Sequence, residues 1–108
     1  MSELIFVYIT NPDMKTAKSI ASKLLENRLI ACANLYNIES MYWWEGKISD
    51  EPEVVLIGKT TADKYDDVKI QVEATHPYSV PCIIQLPIKK SNESYEKWIL
   101  DETQKNPL

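Results

Sequence analysis

Between Ala33 and Thr60 the sequence offers one strong reversal, Glu45-Gly46, and the chain on either side of it has extended character. Each arm is about 13 residues, so at roughly 3.3 Å per residue the ribbon is on the order of 40 Å long. A domain built from 108 residues has a radius of gyration near about 13 Å. The tip must therefore overhang the core that holds its root, and an isolated two-stranded ribbon is marginally stable in water. The tip is also apolar, carrying Met41, Tyr42, Trp43, Trp44 and Ile48. Strand alternation sends Trp43 and Trp44 to opposite faces, so one core does not readily bury both. Tyr42, Trp43 and Trp44 are thus the expected oligomer interface, with the ribbon packed on a neighbouring identical subunit. Irregular sites at Asn34 to Asn37, where a bulge is expected, and at Asp50 to Pro52 leave a second arrangement open, in which the ribbon folds back onto its own helices.

The flanking segments supply a core for the root. LIFVYIT (residues 4–10) is a nearly continuous apolar run, the pattern of a central strand covered on both faces. Asn11 is placed to cap a following helix, with Pro12 at its first position and Met14, Ala17, Ala21, Leu24, Leu25 and Arg28 along one face. LIACANL from Leu29 begins the second strand. Thr60 and Asp63 resemble a capping box before a second helix that faces inward through Tyr65, Val68 and Val72 and stops at His76-Pro77. VPCIIQLPI is a strand whose prolines suit an edge. Ser91 or Asn92 then caps a last helix with Tyr95, Trp98, Ile99 and Glu102 inward. The order β1-α1-β2-β3-α2-β4-α3 predicts an α+β, ferredoxin-like split βαβ sandwich over residues 1–108 as one domain, with a long β2-β3 hairpin.

Composition narrows the functions. The net charge is -4 and the basic residues are scattered, which argues against nucleic acid as a partner. No stretch approaches the roughly 20 apolar residues of a membrane helix, and Leu4 to Ile9 lacks the flanks of a signal peptide, so a cytoplasmic protein is expected. Cys32 and Cys82 each lie in an apolar run and are expected to be free thiols. With one histidine, no G-x-S-x-G elbow and no phosphate-binding glycine loop, the chain is not expected to be an enzyme.

Several motifs occur in order: NPD opening the first helix, LLENRLIACANL, SMYWWEGKI, VLIGKT, ATHPYSVPCII and YEKWI. Together they resemble the CutA family of divalent-ion tolerance proteins over nearly the whole chain. The resemblance implies a homotrimer in which the long β2 and β3 strands form intersubunit sheets, and a role in tolerance of copper and other divalent cations. Copper binding has been attributed to some members, and no reaction is established for the family. Its architecture is similar to the trimeric PII signalling proteins, which implies as the alternative a role in signal transduction, with a small molecule or partner bound between subunits and no metal.

The soft or imidazole donors suited to copper are Cys32, Cys82, His76, Met14 and Met41, and no two of the cysteines and His76 stand at a recognised ligand spacing. His76 and Cys32 are the candidate ligands for copper or another divalent cation. Members with an attributed copper site carry a cysteine where this chain has Ile9 and a second histidine where it has Thr75, so of that set only His76 matches. Standing at a helix end, His76 also suits a purely structural cap. Lys59, Glu45 and Tyr78 are candidate ligand-binding residues in clefts between subunits, where a small anion or metabolite would sit. Intersubunit hydrogen bonds or salt bridges account for the same residues equally well.

Overall fold

The computed structural model describes residues 3–107. The elements are β1 (Leu4–Asn11), α1 (Met14–Glu26), β2 (Cys32–Trp44), β3 (Lys47–Thr61), a 3-10 turn (Ala62–Lys64), α2 (Tyr65–Thr75), β4 (Ile83–Pro87) and α3 (Glu93–Thr103). They build one four-stranded sheet in the order β2-β3-β1-β4, and every neighbouring pair is antiparallel. This is the ferredoxin-like order with an added terminal helix; the apolar first strand is central and the proline-bearing fourth is an edge.

Helices α1 and α2 cover one face. Ile5, Val7 and Ile9 of β1 and Leu56 of β3 meet Ile20, Ala21 and Leu24 of α1 and Val68 and Val72 of α2. Ile30 closes this layer over Gly58, where a Cβ would stand 3.1 Å from its Cγ2. The opposite face is only partly covered, which is why Phe6, Tyr8 and Thr10 alternate as half-buried residues instead of the fully enclosed strand that the sequence predicts. On that face α3 shields one end, where Lys59 Nζ donates to Tyr95 Oη at 3.2 Å.

Several local expectations change. Asn11 does not cap α1; it ends β1, fully buried, and its side-chain amide donates to the Val54 carbonyl at 3.2 Å. The cap is Asp13, whose Oδ1 accepts from the Thr16 N–H at 2.7 Å, so Pro12 precedes the helix. Arg28 lies past the helix end with φ 58, in a left-handed position usually given to glycine. There the Leu29 N–H returns to the Leu24 carbonyl, and Arg28 Nη1 ties the end of α1 to Glu102 Oε1 on α3 at 2.9 Å. β2 starts at Cys32, not Leu29. Neither irregularity in the ribbon exists: β2 and β3 pair without interruption from Cys32↔Lys59 to Trp44↔Lys47, with Asn34, Asn37 and Pro52 in register. On an outer edge a proline or asparagine need not break the ladder, because half of the backbone groups point away from the partner strand. The expected capping box also fails, since Thr61 is the cap position of the 3-10 turn and makes no side-chain cap bond.

Leu24, fully buried between helix and sheet, gives a direct test of this core. Leu24→Ala is expected to cost about 2–5 kcal/mol, read as a lower urea midpoint at unchanged slope. Hydrogen bonds from the Thr16 backbone and then its side chain hold the Asp13 carboxyl below its ordinary 3.8. Its contribution to stability is thus present above that value and lost as pH falls through the folded one, and Asp13→Asn should flatten this part of the acid limb of a stability profile.

Candidate functional site

β1 pairs with β3 only as far as Asn11↔Val54, so the next residue of β3, Glu53, has β2 as its sole strand neighbour. Alternation puts Glu53 on the face away from the helices, alongside Val55, Tyr8 and Thr10. The segment between α2 and β4 reaches the same place. Tyr78 Oη donates to Glu53 Oε2 at 2.7 Å, and the carboxylate residue is only 8% exposed. The His76 ring holds this segment down. Its Nδ1 accepts the Tyr78 backbone N–H at 3.1 Å, which assigns the proton to Nε2, and Nε2–H donates to the Thr10 carbonyl at 2.8 Å. The Tyr78 ring leans on the imidazole with centroids 4.8 Å apart.

A groove of about 910 Å³ opens between this segment and the β2 arm of the ribbon, from Ile38 to Trp44. Tyr8, Glu53, Tyr78 and Cys82 line its sheet side, and Tyr42 and Trp44 its ribbon side. Burial comes first in raising three of these groups. It pushes the Tyr78 phenol far above its ordinary 10.0, with the bond to Glu53 adding to it. It likewise raises Tyr8, helped by Tyr36, and the Cys82 thiol, in both of which the Glu53 charge has a smaller share. The groove is therefore one of protonated phenols and a protonated thiol around a single sunken carboxylate.

Of the candidate ligand residues, Tyr78 lies in this groove. Glu45 is at the far tip, in a two-residue turn with φ 49 followed by Gly46 at φ 78, the left-handed pair that a tight hairpin needs. Lys59 is at the other end of the sheet, with its Nζ 5.2 Å from the Tyr95 ring centroid. One subunit does not bring these three together. Nor does it unite His76 with Cys32. Cys32 pairs with Lys59, which pairs with Phe6. Phe6 is about 13 Å along β1 from the Thr10 that His76 holds. Cys32 and Cys82 flank opposite edges of the sheet, separated by three strand spacings, about 14 Å, across it and by four residues, about 13 Å, along it, and both are free thiols, as expected. No group of three His, Cys, Asp or Glu side chains suited to a metal occurs among the described residues. Ile9 and Thr75 occupy a core position and the last turn of α2.

The two adjacent tryptophans separate as expected. Tyr42 and Trp44 share the face of Glu53, while Met41, Trp43 and Ile48 lie on the other, with Met41 72% and Trp43 73% exposed. Sequence reasoning missed Glu53, Tyr8 and the groove role of Cys82. The signal was available: in EPEVVLIG, Glu53 alternates with Val55 and Ile57, so a carboxylate directly continues an apolar stripe.

Tyr78→Phe removes the donor from the buried carboxylate and should cost about 1–3 kcal/mol near neutral pH. Because the folded phenol keeps its proton where the unfolded one has lost it, wild-type stability should decline as pH rises above 10.0. The variant should lack the Tyr78 share of that decline, measured by denaturant melts across the alkaline range.

Comparison with known proteins gives one consistent result. The family model described as CutA1 divalent ion tolerance protein matches residues 5–102. A divalent-cation tolerance protein CutA of Pyrococcus horikoshii is 45% identical over 102 residues, covering 94% of this chain and 100% of its own. A chloroplastic CutA 1 protein of rice is 40% identical, covering 94% of this chain and 58% of its own. Among solved structures, that of the periplasmic divalent cation tolerance protein CutA from Archaeoglobus fulgidus superposes with a TM-score of 0.92 at 40% identity, covering 94% of this chain and 99% of the other. No helix among the described residues is long and apolar enough to cross a membrane.

Proposed function

The chain belongs to the CutA1 divalent ion tolerance family, and from that membership we propose that it serves divalent-cation tolerance as a non-catalytic homotrimer that holds a small ligand in the groove at the root of its ribbon. The observation that carries this is the uncovered ribbon. β2 offers a 13-residue edge with no second strand partner, and Met41, Trp43 and Ile48 form a largely exposed apolar face. An open edge of that length joined to an exposed aromatic patch is stabilised by a second copy, which completes the sheet and buries the patch together. The family architecture supplies the number three.

Copper is not assigned to His76 and Cys32 in this reading. Both imidazole nitrogens of His76 are already bonded within the subunit, and a metal there would break either the Thr10 or the Tyr78 contact. The residues present thus do not fit a preformed copper chelate. The groove instead favours the sensing role implied by the likeness to PII proteins: an open groove edged by aromatic rings beside a subunit contact is suited to a small molecule whose binding is felt by neighbouring subunits. Two unpaired thiols on opposite sheet edges suit a reducing, cytoplasmic setting.

Sedimentation equilibrium of untagged protein should give three times the 12.5 kDa chain mass. A monomer at micromolar concentration would sink the assembly. Trp43→Asp, which places a charge in the patch but leaves the core untouched, should shift the protein toward smaller species. In a copper titration, His76→Ala should bind with the affinity of wild type; a loss of about tenfold would return His76 to the metal site.

A further inference from the structure

We propose that Glu53 is the anchor of a binding site for an organic ammonium ion whose apolar or aromatic body lies along Tyr42 and Trp44. This deepens the ligand-binding role proposed above and rests on it for the existence of an occupied groove, but the chemistry comes from the groove itself. A carboxylate nine-tenths buried is costly unless a positive charge or several donors compensate it. Glu53 is 8% exposed, yet each ion pair among the described residues involves other groups. Its hydrogen bond within the chain comes from Tyr78, to Oε2, while Oε1 takes no donor from the chain and is not sealed from the groove. The compensation is incomplete within the chain.

The surroundings select the sign and shape of what completes it. No lysine, arginine or histidine lines the groove. Asp13 adds its field at Tyr78. An anion is thereby disfavoured, which reverses the anionic ligand that Lys59 suggests from sequence. A hard divalent cation is disfavoured for a different reason. Such an ion is bound chiefly through carboxylates and waters, and among the described residues no group of three His, Cys, Asp or Glu side chains suited to a metal occurs, the groove carboxylate standing among phenols, hydroxyls and ring faces. A primary ammonium needs what is present: a carboxylate oxygen and hydroxyl acceptors for its protons, and aromatic rings for its positive charge and carbon body. A space of about 910 Å³ accommodates a molecule of metabolite size.

Calorimetry on untagged protein with phenethylamine, and with hydrocinnamate as the anion of similar body, tests this at neutral pH. The amine should bind and hydrocinnamate should not. Glu53→Gln, which keeps an acceptor for Tyr78, should weaken the amine by about tenfold or more. Trp44→Ala, which removes a ring face from the ribbon side and leaves the core untouched, should also weaken the amine and serves as the second variant if Glu53→Gln does not fold; unchanged amine binding there would overturn the proposal. Equal binding of amine and hydrocinnamate, or binding of neither, would overturn the proposal, as would tighter binding of magnesium or copper that competes the amine away. Sedimentation of the same samples separates the two ideas. A monomer that binds the amine through Glu53 would sink the trimer and leave this site standing. A wild-type trimer that ignores the amine but dissociates on Glu53→Gln would mean that a cationic side chain of a neighbouring copy fills the groove, and the ammonium site would be wrong.

Discussion

The ladder between β2 and β3 is the constraint on which the remaining structure depends. β3 is 15 residues long and β1 is 8, and β3 has two strand neighbours only from Val54 to Lys59. Over that part its side chains enter a helix-covered core, and the strand is fixed on both sides. Beyond Val54 the backbone keeps its hydrogen-bond partner but loses its sheet. The buried Asn11 amide, bonded to the Val54 carbonyl, closes off β1 at this boundary. Because the ladder continues without a bulge, the register set in the core is transmitted to the turn at Glu45 and Gly46.

The candidate site lies at this boundary. Within the core a side chain at the position of Glu53 would meet β1; at the root of the ribbon it meets open space that only the segment after α2 reaches. That segment is held by one imidazole using both nitrogens, and His76 therefore acts as a structural clamp between the end of β1 and the groove. The effect is indirect but specific, since the clamp positions the Tyr78 hydroxyl that orients the carboxylate. Burial keeps the neighbouring phenols and thiol in their protonated forms, so none of them adds a negative charge to the site.

Much of the fold was legible because hydrophobic period and turn chemistry point the same way. The apolar run of β1, the prolines of β4 and the Glu45-Gly46 reversal each carry a local physical reason for their place. What misled were polar residues with two uses. Asn11 and Asp13 are both good helix caps; the choice between them turned on whether β1 continued for one more residue, which tertiary pairing decides. Asn34, Asn37 and Pro52 look like breakers, yet an edge ladder accommodates them. The site was less legible than the fold. Lys59, Glu45 and Tyr78 are chemically suitable, but they lie along the ribbon and its root, separated by distances that only the register reveals. Glu53 was overlooked because a carboxylate beside Asp50 and Glu51 has the look of one more surface charge.

An uninterrupted ribbon also limits how the sequence can change its length. Every residue removed from one arm alone would force a bulge or a slip, and a slip of one position would move Trp44 to the outer patch and Trp43 to the groove. Insertions and deletions in this region are therefore tolerable chiefly when both arms change together by a matching even number of residues, so that the facing of the side chains is preserved. The hairpin thus behaves as a ruler with two-residue divisions: relatives can differ in its reach, but only by steps that leave the two faces distinct.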